Sequence, residues 1–468
     1  MNLPPPRHWH LCFLLCACTV AAYWSGFGGD FHYDDTVAIL ENPHLDGWRH
    51  FFGHLDHMVR PVLYATFLFD RSQYGADPSG YHLLNLLLHL GSGLLIFRIL
   101  TSAVSDERSS VPFWASLFFL IHPIATETVT YISGRASGLM SCFYLGSLLL
   151  YIRATEGSGP RRFGRAPFIG SIVLFLLAIG SKETAGTFPV VLLLWDHVIR
   201  RKHGDELRTA VLRDHLPFWI VLLLAAGWAM LHPRYSALAQ FSIHLRPWLV
   251  NLLSELHATV YALLLYFTPW SQNFDHDLPL FHSPAQWPLP LDSLFLSAMA
   301  ASAFIARRRF PLIAFGLAWF FLQLLPTSLI PRNDLLSERN LYLASPGLLI
   351  ALVSLGSHAE QRLTIACSRP AVVRTVSLGL ASALALLLAL FTHQRNDLYR
   401  DQLSLWADAV LKSPNKARPH NNLGRAYALQ DEWDRAIDEF RLAARLDPNF
   451  IVAQQNLRDA YLHRAGRR

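Results

Sequence analysis

An all-α polytopic membrane bundle followed by a short C-terminal array of helical repeats is the fold this sequence predicts. Three observations lead there. The 468 residues are 52% hydrophobic and only 16% charged, a balance outside that of soluble domains. The apolar residues gather in runs long enough to cross a hydrocarbon core of about 30 Å. Beyond about residue 396 the chain turns polar and takes up a period of about 34 residues. The formal charge of +6 and the isoelectric point near 9.1 do not argue for nucleic acid, because the basic residues form short clusters between apolar runs rather than one face. Of the five cysteines, Cys12, Cys16 and Cys18 lie in the first apolar run and Cys142 and Cys367 stand alone, which excludes a disulfide framework or a paired-cysteine metal motif.

The first run, residues 9 to 24, follows Arg7 and lacks a convincing small-residue cleavage site, so it reads as an uncleaved span. Further spans are expected at 81–100, 112–127, 137–153, 166–180, 184–199, 215–231, 289–306, 310–326, 341–356 and 371–393. With the first run, these give about eleven transmembrane helices. Arg161, Arg162 and Arg165, then Arg200, Arg201, Lys202 and Arg208, then Arg307 to Arg309, and finally Arg362, Arg369 and Arg374 mark the cytoplasmic loops. The N-terminus is then cytoplasmic as well. The apolar run at 247–268 would break this alternation if it spanned, so it is expected to lie as an amphipathic or re-entrant helix at the outer interface. Residues 1–395 form the membrane domain, with 25–80 as its long outer loop, and 396–468 form the repeat domain on the same outer face.

In the tail, Leu423, Gly424, Tyr427, Ala436, Phe440, Ala443 and Pro448 stand where a tetratricopeptide repeat places the small and large residues of two nested helices. Trp406, Ala409 and Pro414 before them, and Leu457 and Tyr461 after them, match partial repeats. One complete repeat between two partial ones falls below the usual three, so the array should lean on the membrane domain or on a partner.

The outer loop at 25–80 is long enough to suggest function. It carries Asp30, Asp34, Asp35, Glu41, Asp46, Asp56, Asp70 and Asp77. The pair Asp34-Asp35 follows the first span closely and sits just above the membrane, where one carboxylate can act while the other orients a partner; a solvated turn is the plainer alternative. Ionisable residues recur at the outer ends of other spans, where burial of charge needs a reason: His122 and Glu127, Arg135, Lys182 and Glu183, Glu338 and Arg339, with Arg60 ahead of a short apolar segment in the loop. Converging on one outer cavity, carboxylates suit proton abstraction from a hydroxyl, whereas Arg60, Lys182 and Arg339 suit a phosphate. That pairing fits sugar transfer from a lipid phosphate. Plainer roles compete: Lys182 and Glu183 pairing with each other, Arg135 and Arg339 snorkelling, and His82, Asn85 and His89 bonding between helices. His44, His50, His54 and His57, with Asp56, could bind a metal, but their spacing matches no strong ligand motif, and a divalent metal is not expected.

The stretches FHYDDTVAILENPHL (31–45), RPVLYATFLFD (60–70), YHLLNLLLHL (81–90), HPIATETVTYISGRASGLMSCFYLGSLLLY (122–151), SKETAGTFPVVLLLWD (181–196) and LLSERNLYLASPG (335–347) resemble the transmembrane and tetratricopeptide-repeat O-mannosyltransferase family and its bacterial relatives. The resemblance covers nearly the whole membrane part. It implies a membrane glycosyltransferase of the C-type fold that takes a polyprenyl-phosphate sugar, usually dolichyl-phosphate mannose, and transfers it to protein Ser/Thr hydroxyls. It also implies that Asp34-Asp35 supply the catalytic carboxylate and that Arg60 contacts the donor phosphate. The chain departs from the family at Ala136-Ser137, where relatives commonly carry an aspartate after the arginine. No cofactor beyond the lipid-linked donor is implied, and the partners are that donor, an acceptor polypeptide on the repeat array, and the membrane. The short array and arginine-rich basic residues point to a bacterial cytoplasmic membrane, with the endoplasmic reticulum as the eukaryotic counterpart. The site and repeats would then face the periplasm or lumen. A secondary transporter and a non-enzymatic scaffold recruiting partners through its repeats are the competing classes. A carrier would hold its ionisable groups near the bilayer midplane, and a scaffold leaves the acidic loop without a role.

Overall fold

A computed structural model describes residues 9–104, 106, 108–156 and 166–466. Arg7 and the Arg161, Arg162 and Arg165 cluster lie outside these residues, as does the side chain of His57. The described residues form helices and turns, with no strand among them. Helix α1 (Trp9–Tyr23) leads into the long loop, which folds into turns at Thr36–Leu40 and Pro43–Leu45, then α2 (Trp48–Gly53) and α3 (Pro61–Tyr74). Pro61 presets the first turn of α3, and Asp77 caps α4 (Pro78–Ala103) by accepting from the Ser79 N–H. Then come α5 (Val111–Ile121), α6 (Thr126–Val129), α7 (Arg135–Thr155), α8 (Ala166–Ser181) and α9 (Phe188–Leu194). The second half holds α10 (Gly204–Ala210), α11 (Leu216–Leu231), α12 (Pro233–Leu245), α13 (Trp248–Leu265), α14 (Leu289–Ala306), α15 (Pro311–Leu329), α16 (Ser345–Ala366) and α17 (Pro370–Leu398).

Each of the eleven expected runs is largely helical, but among the described residues eight helical segments are long and apolar enough to cross a bilayer. Seven coincide with expected spans. The runs at 112–127, 166–180 and 184–199 are shorter or broken helices, because prolines, glycines and polar turns interrupt them, and α16 carries charge in its second half. The eighth segment is α13. Both its ends are tied to one end of the bundle: Asn251 donates to the Ser328 carbonyl at the close of α15 (2.8 Å), and the Tyr266 hydroxyl bonds Ser345 at the start of α16 (2.6 Å). Helix α13 therefore lies along that end instead of joining opposite ends.

The same end gathers the close of α1, α5, α8, α15 and α17 and the start of α4, α7, α9 and α16. The basic clusters at 200–202 and 307–309 occupy the opposite end, where Arg200 donates to the Ile152 carbonyl near the close of α7 (2.9 Å) and Arg201 to the Arg308 carbonyl (3.4 Å). The main apolar core joins α1, α4, α5, α7, α8, α9, α15, α16 and α17. Helices α15 and α16 approach so closely at Gly316 and Gly347 that a Cβ on either would collide with the other's carbonyl oxygen, the small-residue contact that lets membrane helices pack backbone to backbone.

Helix α17 continues through residue 395 to Leu398, and the repeat helices follow: α18 (Gln402–Lys412), α19 (Ala417–Leu429), α20 (Trp433–Leu446) and α21 (Ile451–Gly466). Gly424 sits beneath the Phe440 ring, and α19 and α20 form the complete repeat between single helices of its neighbours. As the short array requires, it leans on the membrane part. Arg418 pairs with Asp275 and with Asp334 (2.7 Å), Lys416 with both (2.5 and 3.2 Å), and Lys412 donates to the Gln272 carbonyl (2.7 Å). Trp406 packs edge-on against Tyr33 and Phe274.

Candidate active site

At the end of the bundle away from the basic clusters lies a cavity of about 900 Å³. Six elements wall it: the loop turns at 34–44, the start of α3, the turn before α7 with that helix's first residues, the 182–184 turn, the start of α12, and the 326–340 segment. Of the residues singled out in the sequence, Asp34, Arg60, Lys182, Glu183 and Arg339 line it.

Asp34 is exposed to the cavity. Its backbone N–H donates to the Tyr131 hydroxyl (3.2 Å). The preceding Tyr33 holds a left-handed φ of 45°, an uncommon conformation for a bulky residue that surrounding contacts must hold in place. Trp406 and the Arg418 guanidinium, 5.9 Å from the ring centroid, supply those contacts. Asp35 points the other way and is fully buried. It accepts from the His32 N–H (2.9 Å), the Ser133 N–H (2.8 Å) and the Ser133 hydroxyl. Burial pushes its carboxyl up to about 7 against these three donors. The two adjacent carboxylates thus face opposite ways, Asp34 into the cavity and Asp35 into the protein.

Lys182 does not pair with Glu183. Its ammonium, buried in the wall, donates to Ser137 Oγ (2.7 Å) and Asn340 Oδ1 (2.8 Å), both neutral. Burial, reinforced by the positive charge of Arg60 and Arg339, holds this ammonium well below the usual lysine range. Ser137 belongs to the Ala136-Ser137 departure from the family pattern, and its hydroxyl leaves the lysine charge uncancelled. Glu183 is instead clamped by Arg60 through two hydrogen bonds (3.1 and 2.6 Å). Burial pushes its carboxyl up, but the guanidinium more than offsets this and holds it at about 2. Arg339 packs 5.6 Å from the Tyr131 ring centroid and lies 3.6 Å from the Glu127 carboxylate.

Four singled-out residues, like Asp35, stand behind the wall instead of on it. Glu127 accepts from the Arg339 N–H and from Ser337 (both 2.9 Å), which fixes Arg339. Glu338 accepts from the Asn273 N–H (2.7 Å) and bonds His276 (3.0 Å), organising the loop on which the repeats rest. His122 accepts from the Ile124 N–H (3.1 Å) and bonds the Tyr266 carbonyl (3.2 Å). Arg135 is fully buried in a pair with Asp70 (2.6 Å), bonds Asn85 (2.7 Å) and lies over Phe67. A substrate-phosphate role for Arg135 is corrected by this enclosure, and so is the snorkelling alternative. Removing one partner of such a buried pair leaves an uncompensated charge and costs about 3–5 kcal/mol. Asp70→Ala is therefore expected to lower the melting temperature of the detergent-solubilised protein sharply, with the Asp70→Leu/Arg135→Met pair recovering much of the loss.

His82, Asn85 and His89 bond between segments as the plainer reading held: His82 to the Gly29 carbonyl, Asn85 to Arg135, and His89 to Tyr342 and the Leu120 carbonyl. The cavity also draws in residues that were not singled out as its walls: Glu41, Arg234, Arg332, Asp334 and Asn340. Glu41 stands among the acids of the outer loop and inside the FHYDDTVAILENPHL stretch, whereas Asn340 is marked only by lying inside LLSERNLYLASPG.

Fold and site together define a polytopic α-helical membrane protein with a deep charged cavity at one end and a repeat array docked beside it. Residues 417–450 match the tetratricopeptide-repeat family. The chain is a homologue of protein O-mannosyl-transferases: Tmtc3 of Drosophila melanogaster is 27% identical over 97% of this chain, and F38B6.6 of Caenorhabditis elegans 24% identical over 93%. TMTC2 of Mus musculus is 32% identical over 45% of the chain and 27% of its own length. The chain spans 57% and 63% of the Drosophila and Caenorhabditis proteins. Among solved structures, ArnT from Cupriavidus metallidurans bound to undecaprenyl phosphate aligns with 97% of this chain and 76% of its own, with a TM-score of 0.48 and 14% identity.

Proposed function

We propose that this protein is a membrane glycosyltransferase of the C-type fold that moves a hexose, mannose in the first instance, from a polyprenyl phosphate to Ser/Thr hydroxyls of polypeptides on the periplasmic or lumenal face. The observation that carries the proposal is one cavity holding both an exposed carboxylate, Asp34, and a buried lysine with neutral partners, Lys182. The O-mannosyl-transferase homologues support the same chemistry. Asp34 takes the proton of the acceptor hydroxyl as its oxygen bonds to the anomeric carbon. The bond from that carbon to the phosphate oxygen breaks, and the polyprenyl phosphate leaves with the electron pair. The step inverts the anomeric centre without a covalent sugar intermediate. Lys182 and Arg339 stabilise the charge developing on the phosphate. Arg60, committed to Glu183, holds the 182–184 turn in place and contributes the positive field behind it. The repeats present the acceptor.

The proposal is tested by photo-crosslinking a polyprenyl-phosphate sugar analogue to the purified protein and by mass spectrometry of outer-face proteins with and without the chain. Crosslinks at the cavity wall and loss of hexose on Ser or Thr are expected. A protein that neither captures the analogue nor changes any glycopeptide is not this enzyme.

A further inference from the structure

A second cluster lies at the rim of the cavity, apart from the acid and base. We propose that His44, His50 and His54 form a binding site for a divalent transition-metal ion of the zinc class. One ring nitrogen from each falls within 4.8 Å of the other two, and the His50 and His54 ring centroids are 4.1 Å apart. His50 stands on α2 and His54 caps its end, four residues on, which brings the two imidazoles to one side. His44 comes from the preceding turn and is itself a cavity-lining residue.

The platform is built, not incidental. His54 Nδ1 lies 2.8 Å from the His50 carbonyl; donating there fixes the tautomer and leaves Nε2 as the ligand atom, the arrangement common to metal-binding histidines. Asn42 accepts from the His44 N–H (3.0 Å). Arg71 on α3 donates to the Ile39 and Asn42 carbonyls and pairs with Asp46, so the turn carrying His44 is tied to the same scaffold as Arg60. Tetrahedral zinc, with Zn–N of about 2.0 Å, places its nitrogens about 3.3 Å apart, a distance reached by small side-chain rotations from the observed cluster. Three neutral nitrogen donors select zinc or a neighbouring late transition ion over magnesium or calcium, which take oxygen. Three protein ligands would leave one tetrahedral position for water or a substrate oxygen, and His44 lines the cavity.

The test uses the full chain carrying an affinity tag without histidine, in nanodiscs, stripped with chelator and reloaded with zinc or cobalt(II). One equivalent of metal per chain is expected, with the visible absorption of four-coordinate cobalt and a rise in melting temperature with zinc. His50→Ala and His54→Ala should each weaken zinc binding by more than about tenfold, whereas His282→Ala, in a loop outside the cluster, should not. In the unaltered chain, zinc should protect His44, His50 and His54 from diethyl pyrocarbonate, read by peptide mass spectrometry, so the proposal does not depend on any variant folding. Substoichiometric zinc, unchanged affinity in the His50→Ala/His54→Ala pair, or equal modification with and without zinc would each overturn it.

Discussion

Asp34→Asn is expected to reduce sugar transfer by roughly 10²–10⁴-fold, the usual worth of a positioned general base, while leaving capture of the lipid-linked donor nearly unchanged. The substitution is isosteric, and the Asp34 N–H to Tyr131 bond does not depend on the side chain, so the loop keeps its shape. What is lost is the proton acceptor at the moment the hydroxyl attacks. Asp35→Asn should behave differently. Its carboxylate meets three donors, and an amide would turn one N–H toward another at a cost of about 1–3 kcal/mol. The expected result is a lower melting temperature and less folded enzyme, with the residual activity per folded molecule well above that of Asp34→Asn. Glu41→Gln is the discriminating control, because Glu41 shares the cavity. If Glu41→Gln abolishes transfer and Asp34→Asn does not, the base is Glu41 and the assignment to Asp34 is wrong.

The Tyr33 backbone shows what the repeats do for the cavity. A left-handed φ at a tyrosine stores strain of about 1–3 kcal/mol, and Trp406 and Arg418 from the array close over that residue. Arg418 also bonds Asp334 on the opposite lip of the cavity. The array thus joins the segment before Asp34 to the segment before Arg339, and a short repeat unit gains the stability it cannot supply alone by bracing the site.

Sequence made the frame legible because each part of it rests on a strong local rule: apolar runs for the spans, arginine clusters for the opposite end, and repeat spacing for the tail. It also brought together Asp34, Arg60, Lys182, Glu183 and Arg339. Glu127, Arg135, His122 and Glu338 carry the same signature of an ionisable residue near the end of a span, yet turn inward to protein partners. Pattern shows that a buried charge needs a partner, not whether that partner is a side chain or a ligand. Arg332 and Asp334 sit in an irregular segment with no periodicity to expose their direction. The loop histidines are visible in the sequence, but their convergence is not: α2 is six residues long, too short for hydrophobic period to announce, and without that helix His50 and His54 do not share a side.

Lys182→Met is expected to weaken binding of the polyprenyl-phosphate sugar by about 10- to 100-fold, since a charge-assisted hydrogen bond is worth about 1.5–3 kcal/mol. The pH dependence carries the sharper signature. In the free protein, burial and the neighbouring guanidinium groups of Arg60 and Arg339 hold the ammonium well below its ordinary range. A bound phosphodiester opposes both effects and draws it back up. The complex then holds more protons than the free protein between those two values, and linkage requires affinity to fall as pH rises through that window. The phosphodiester has no second proton to lose, Arg60 and Arg339 stay charged, and Glu183 titrates far below, at about 2. Asp35, held at about 7, is common to every variant, so the part of the slope that belongs to Lys182 is the part that Lys182→Arg removes. Lys182→Arg keeps the charge and should bind with little dependence on pH across the range where the unaltered protein loses affinity. Ser137→Asp should weaken binding at every pH by giving the lysine an internal counter-ion in place of its neutral partner. A titration in which the unaltered protein, Lys182→Arg and Lys182→Met share one slope would remove Lys182 from the phosphate site.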